Sequence, residues 1–273
     1  MEKLEKRPSR TSKQKVSPPM EEEIQFHQFR EILFRFLSRS FSKEPDEQFL
    51  QNLPAVSCAL KHLVSDLKED DLLQGSQLLE DFLQETRETA AENILRNLAE
   101  QYASLFLGVG PENISLCESA YRNERGLLFQ GSYFEVLEEY SKVGLMKQVD
   151  FKEPEDHLSV ELAFMAHLCR RSVETLRKGK KKETEACYRL QKRFLDDHLD
   201  PWVSRFTQGL LDVSPSKRYM AIAHLLRGYV EVDRTWVDEL LSEIGANKGQ
   251  PSRKIRKLKE REVKKSVKGK GKD

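Results

Sequence analysis

Apolar residues recur three and four positions apart through most of this chain, which is the spacing of an α-helix packed on one side. One such stripe consists of Leu158, Leu162, Met165 and Cys169. An earlier one consists of Phe26, Phe29, Leu33, Phe36 and Leu37. No segment alternates apolar and polar residues as a half-buried strand does. The pattern therefore predicts an all-α protein built as a helical bundle.

Breaks in this periodicity predict where the helices lie. The first helix is expected to start at Glu21. Further helices are expected at about 45–67, 78–83, 94–106, 132–143, 157–177, 183–198, 201–211, 215–230 and 233–244. Pro54 is expected to kink or split the second, and a break is expected near Asp70–Gly75. Gly108-Val-Gly-Pro111 ends a helix, and Asp200-Pro201 and Ser214-Pro215 each suit a capped start with proline in the first turn.

The segment from Phe151 to His157 is expected to join two helical halves. Pro154 lacks a backbone donor and disfavours helical backbone at Glu153, so an extended connector is expected there. Asp156 is placed to cap the helix that follows. We therefore predict an N-terminal helical subdomain at 21–145, a hinge at 146–157 and a C-terminal helical subdomain at 158–246.

The net charge of +1 conceals an uneven distribution. Residues 1–20 carry +4 and residues 247–273 carry +9, whereas residues 21–246 carry −12. Both ends lack periodicity and are expected to be disordered basic tails. The acidic body should attract basic partners, and the tails can fold over it or meet a polyanion.

Several classes of protein are excluded by what the sequence lacks. It has no apolar run long enough to cross a membrane and no apolar core of a secretory signal at its start. Its four cysteines are scattered without a C-x-x-C pair, which is typical of reduced thiols and predicts a cytoplasmic protein. The basic C-terminal run has no aromatic residue for base stacking, so we expect no nucleic-acid partner.

No enzyme signature is present. His157 and His167 lie too far apart to form a metal site on one helix face. Cys117 beside Glu118 has no neighbour that would lower a thiol pKa. The Gly108–Pro111 segment lacks the lysine of a phosphate-binding loop. We therefore expect no metal, no cofactor and no catalytic residue.

Two polar segments remain as candidate sites. One is Ser115–Arg122 with the preceding Tyr102, Leu105 and Phe106, and the other is Glu153–His157. Packing explains each of them about as well as binding does, since the aromatic residues sit at core spacing and Tyr121 can fill the loop.

Taken together, these segments resemble the TorD/DmsD family of cytoplasmic redox-enzyme maturation chaperones. The resemblance covers about residues 24–230. It is carried by Tyr102-Ala-Ser-Leu-Phe106, Cys117-Glu-Ser-Ala-Tyr-Arg122, Gly126-Leu-Leu, Glu135-Val-x-x-x-Tyr140, Glu153-Pro-Glu-Asp-His-Leu158, Glu161-Leu-Ala-Phe-Met165 and Phe194-Leu-x-x-His-Leu-x-x-Trp202-x-x-x-Phe206. Glu155 stands where the family often has a second proline, and Cys117 stands near the place of a large aromatic residue.

The resemblance implies a chaperone that binds the twin-arginine signal peptide and the apo-form of a molybdenum-cofactor oxidoreductase until the cofactor is loaded. It implies an all-helical fold with two subdomains, as a monomer or a domain-swapped dimer. The implied peptide-binding residues are Glu118, Ser119, Tyr121, Arg122, Glu153, Pro154, Asp156 and His157. The implied groove-lining residues are Tyr102, Phe106 and Leu116. Carboxylates beside an apolar groove suit two guanidinium groups followed by an apolar segment.

Two alternatives stay open. One is an accessory protein that binds a guanine nucleotide weakly, an activity proposed within the family. The other is an interaction protein with basic tails and no redox client.

Overall fold

The computed structural model describes residues 18–109, 113–214 and 216–245, and most of these residues are helical. The helices are α1 (Pro18–Ser42), α2 (Glu47–Leu67), α3 (Asp70–Glu85), α4 (Ala91–Phe106), α5 (Glu118–Tyr121), α6 (Gly131–Lys142), α7 (Leu158–Arg177), α8 (Lys181–Phe194), α9 (Asp200–Val213) and α10 (Lys217–Gly245). The described residues form no strand, only one isolated antiparallel bridge between Cys117 and His157. The all-α prediction is confirmed.

Helices from the two halves of the chain pack directly on each other. The most extensive packing is α1 along α7 and α3 along α10. One hydrophobic core holds Phe34 of α1 and Leu79 of α3 together with Met165 of α7 and Leu226 of α10, all fully buried. The predicted stripe Leu158, Leu162, Met165 and Cys169 is also fully buried. Because one core includes both halves, a hinge between two separate subdomains stays a prediction.

The break expected near Asp70–Gly75 lies slightly earlier, at residues 68–69. Helix α3 begins at Asp70 and continues through Gly75, and the Glu69 carboxylate caps it by accepting the N–H groups of Asp71 and Leu72. A Cβ atom at Gly75 would lie 2.9 Å from the carbonyl oxygen of Ala221 in α10. The glycine therefore permits a close approach of two helices and does not interrupt one.

Two of the expected helix boundaries are wrong. Helix α8 passes through a π-helical turn, Leu195–Leu199, directly into α9, and Asp200 has helical backbone angles (φ −56°, ψ −41°) instead of the extended ones of a cap. Pro201 has no N–H to donate to the Asp197 carbonyl oxygen, which accepts from Arg122 Nη1 at 2.6 Å instead. The two helices expected at 215–230 and 233–244 are one continuous helix, α10, which begins at Lys217.

Other boundaries lie close to their predicted positions. Helix α1 begins at Pro18, three residues before the expected start, and α2 continues past Pro54 without being split. Residues 1–17 and 246–273, which include most of both predicted tails, lie outside the described residues, as do Pro111 and Pro215. Within the described ranges, no helix is long and apolar enough to cross a membrane.

Candidate functional site

The two polar segments singled out from the sequence lie side by side. The loop before α5 runs antiparallel to the segment before α7. The Glu118 N–H donates to the Asp156 carbonyl oxygen at 3.0 Å, and the Leu158 N–H donates to the Leu116 carbonyl oxygen at 2.7 Å. Short strand-like pairing thus brings together residues that lie about forty positions apart in the sequence.

Asp156 does not cap α7, so that prediction is wrong. Its side chain is fully buried, and its Oδ2 atom accepts the Ser119 N–H of α5 at 2.8 Å. His157 caps α7 instead, with its Nδ1 atom accepting the Ser159 N–H at 3.2 Å. Burial, with the nearby Lys147 ammonium, lowers the pKa of His157 to about 4. The ring is therefore neutral and able to accept a hydrogen bond.

Glu118, Asp156 and Glu161 form a cluster of three fully buried carboxyl groups. Glu118 lies 3.0 Å from Arg122 Nη1 and 3.1 Å from His198 Nδ1. Burial, and then the charges of Glu118 and Asp156, raise the pKa of Glu161 well above its usual range. The folded structure therefore favours the protonated form of the Glu161 carboxyl group, which can donate a hydrogen bond to Glu118.

This cluster leads to a pH prediction for Glu161→Gln. Above pH about 4.5 the unfolded chain releases this proton while the folded protein keeps it, so folding takes up a proton and wild-type stability falls as pH rises. Glutamine keeps a hydrogen-bond donor without titrating. As pH rises above about 4.5, the stability of Glu161→Gln should increase relative to wild type by up to about 1.4 kcal/mol per pH unit. Urea unfolding at four pH values measures this, and a difference that stays constant with pH would contradict it.

The aromatic residues named as candidates are largely part of the packing. The Tyr121 ring lies 5.2 Å from that of Trp202, and its hydroxyl donates to the Ser115 carbonyl oxygen at 2.9 Å. The Tyr102 hydroxyl donates to the carbonyl oxygen of Phe41 at 3.0 Å.

The other two groove-lining candidates also pack on the core. Phe106 is half-buried with its ring 5.6 Å from that of Tyr219, and Leu116 is buried. These contacts hold α4 and the loop before α5 in place.

The remaining hinge candidates lie nearer the surface. Glu153 is exposed, and its carbonyl oxygen accepts from the Lys147 ammonium. Pro154 is half-buried. The Glu155 carboxylate accepts the Tyr133 hydroxyl at 2.8 Å and so ties the hinge segment to α6.

A cavity of about 340 Å³ opens beside the buried cluster and is strongly acidic. It is lined by Arg122, Glu135, Glu138, Glu139, Asp196, Asp197, His198 and Pro201. Arg122 and His198 connect it to the buried cluster, since both contact Glu118. Sequence reasoning missed the acids of this lining because they come from α6 and the π-turn, which are far apart in the chain. We name this feature the acidic cavity.

The carboxylates of the acidic cavity differ in how they are paired. Glu139 binds Arg193 at 2.6 Å, and Asp196 binds Arg234 at 2.6 Å. Their pKa values lie below the usual range because these partners outweigh the effect of burial. Glu135 and Asp197 have no ion pair among the described residues. The cavity therefore holds carboxylate charge that is free to bind a cation.

An apolar surface adjoins the acidic cavity. It consists of Leu127, Leu128, Phe129 and Phe134, which are 41–62% exposed. Phe134 directly precedes Glu135 on α6, so one helix carries both an exposed apolar residue and an acid of the cavity. We name these four residues the apolar patch.

Residues 69–208 match the sequence profile of a family described as nitrate reductase delta subunit. The match covers more than half of the chain and includes both polar segments and the whole lining of the acidic cavity. The chain belongs to the nitrate reductase delta subunit family.

Curated relatives of this family member are named "Chaperone protein TorD". That of Shewanella loihica is 29% identical over 224 residues, covering 80% of this chain and 97% of the relative. That of Vibrio atlanticus is 27% identical over 213 residues, covering 78% and 96%. That of Shewanella pealeana is 25% identical over 222 residues, covering 79% and 92%. The resemblance to TorD-type chaperones is confirmed.

Proposed function

We propose that this protein is a cytoplasmic chaperone for a molybdenum-cofactor oxidoreductase. It binds the twin-arginine signal peptide and the apo-form of that enzyme, assists insertion of the cofactor and delays export. The observation that carries the proposal is the acidic cavity beside the apolar patch, because a twin-arginine signal peptide has two guanidinium groups followed by an apolar segment.

The charge of the cavity supports binding of the arginine pair. Carboxylates bind guanidinium groups through two parallel hydrogen bonds, and Arg is the cation best suited to them. Glu135 and Asp197 are the best candidates, since the other charged acids of the cavity already have partners. The net charge of −12 on residues 21–246 adds long-range attraction.

The predicted peptide-binding residues take a supporting place in this proposal. Glu118 and Asp156 are fully buried, so they do not reach a peptide on the surface as the structure stands. Glu118 instead holds Arg122 and His198, both of which line the acidic cavity. The Ser115–Arg122 segment thus supports two residues of the cavity wall from the buried side.

Substitution of the two free carboxylates tests this proposal. The double variant Glu135→Gln/Asp197→Asn should bind a synthetic peptide, with two arginines followed by an apolar stretch, roughly tenfold or more weakly than wild type. Charge-assisted hydrogen bonds of this kind are worth about 1.5–3 kcal/mol each. Isothermal titration calorimetry measures the affinity, and circular dichroism checks that the fold is retained.

The controls separate charge from apolar contact. Glu100→Gln removes an exposed acid from α4 and should leave affinity unchanged. Phe134→Ala should weaken binding, whereas Ile32→Ala, which removes a residue of similar exposure on α1, should not.

Affinity should also fall as salt rises, because exposed charges are screened over about 8 Å at physiological ionic strength. An unaffected double variant would overturn this location for the peptide.

A further inference from the structure

Arg218 is a buried cation that lacks the partners such a cation requires. It is the second residue of α10, and its side chain is fully buried. None of its three guanidinium nitrogens has a hydrogen-bond partner in the described structure. Its guanidinium carbon lies 4.5 Å from the ring centre of Tyr219 and 4.9 Å from that of Phe49.

Aromatic rings alone do not compensate this charge. Contact with ring faces stabilises a cation, but the N–H groups of a guanidinium lie in its own plane and need acceptors there. A buried charge without a partner is strongly destabilising. Arg30, also fully buried, shows the ordinary solution, since Asp233 accepts from its Nε and Nη2 atoms at 2.6 and 2.8 Å.

Further positive charge lies close to Arg218. Arg39 approaches the same Phe49 ring, with its guanidinium carbon 5.2 Å from the ring centre. The start of the long helix α10 adds the partial positive charge of a helix N-terminus. Two carboxylates lie nearby: Asp46, which is shared between Arg39 at 2.8 Å and Lys43 at 2.9 Å, and Glu44, which acts on the neighbouring Tyr219. Neither of them accepts a hydrogen bond from the Arg218 guanidinium.

We propose that Arg218 forms the base of an anion-binding site that takes a phosphate group. Phosphate oxygens match the planar fork of a guanidinium, and the charge of a phosphate matches Arg218, Arg39 and the helix end together. Arg39, whose side chain is 26% exposed, packs against the same Phe49 ring as Arg218 and is the second cation of the site. This site is independent of the signal-peptide proposal.

Thermal unfolding with inorganic phosphate tests the site. At a phosphate concentration ten times its Kd, the melting temperature of wild type should rise by about 3–6 °C relative to sodium chloride of equal ionic strength. Arg218→Met keeps an apolar chain between the two rings but no donors, so its melting temperature should not respond to phosphate. No response in wild type, or an equal response in Arg218→Met, would overturn the proposal.

A second variant keeps the test valid if Arg218→Met fails to fold. Arg39→Gln alters a partly exposed residue and should weaken phosphate binding at least about threefold, as measured by calorimetry. Arg35→Gln is the control, because Arg35 lies one turn earlier on α1 and is more exposed, and this variant should bind phosphate as wild type does. Equal affinity in both variants would overturn the site. Glycerol 3-phosphate distinguishes a free phosphate ion from the phosphate group of a larger ligand. If it binds as tightly as inorganic phosphate, the site accepts the phosphate group of a larger ligand, and if it does not bind, the site takes only the free ion.

Discussion

Replacing Asp233 with alanine should lower the free energy of unfolding by about 3–5 kcal/mol, the largest effect we expect from a single substitution. Asp233 and Arg30 are both fully buried, and their two hydrogen bonds of 2.6 and 2.8 Å join α1 to α10. Removing the carboxylate leaves the Arg30 guanidinium charged and unpaired inside the core, because arginine does not release its proton there. Urea unfolding followed by circular dichroism measures the loss.

The geometry around this pair explains why nothing else can replace it. The Arg30 Nη1 atom lies 3.0 Å from His27 Nδ1, and His27 Nε2 lies 2.7 Å from the Tyr188 hydroxyl. Burial, and then the charge of Arg30, lower the pKa of His27 well below its usual range, so the ring is neutral. A neutral histidine accepts one hydrogen bond but brings no negative charge, so Asp233 alone neutralises the guanidinium.

Asp238 supplies the matched control on the same helix. It lies on the surface, 54% exposed and 3.3 Å from Lys192, so Asp238→Ala should cost less than about 1 kcal/mol. The double variant Arg30→Met/Asp233→Leu removes both charges and should recover most of the stability lost in Asp233→Ala. Equal losses in Asp233→Ala and Asp238→Ala would show that burial of the pair has no energetic consequence.

The fold class follows from the sequence because each helix carries its own apolar stripe. Leu158, Leu162 and Met165 face the core whatever α7 packs against, so three-four spacing is enough to predict both helix and burial. The extent of α3 did not follow, because a glycine that ends a helix and one that admits a neighbouring helix look alike locally. The difference depends on Ala221 and Leu225, about 150 residues further on.

The site could be predicted only in part, for a similar reason. Asp156 and His157 can each cap a helix, and the choice between them is made by the Ser119 N–H, which draws the Asp156 side chain towards α5. The acidic cavity combines residues of α6 with residues of the π-turn, and no local spacing joins them. The sequence thus gives the residue types at the site, whereas long-range packing decides which are buried and which face a ligand.

The second large effect concerns the contact between α3 and α10. Gly75→Ala should lower the free energy of unfolding by about 1–3 kcal/mol. The added methyl group would lie 2.8 Å from Leu225 Cγ, 2.9 Å from the Ala221 carbonyl oxygen and 2.9 Å from the Leu225 nitrogen. Two of these three atoms belong to the backbone, so a side-chain rotation cannot relieve the overlap and the two helices must move apart. Urea unfolding measures the change.

Gly209 provides the control, because Gly209→Ala should raise the free energy of unfolding instead of lowering it. It lies within α9, and a Cβ atom at this position would meet nothing within 4 Å. Alanine is the better helix former by about 0.8–1 kcal/mol, so Gly209→Ala should stabilise the protein by up to that amount. Helix propensity alone would make both variants more stable than wild type. A stabilised Gly75→Ala would therefore mean that α3 and α10 do not approach as closely as the structure has them, and opposite signs would show that Gly75 is required by their packing.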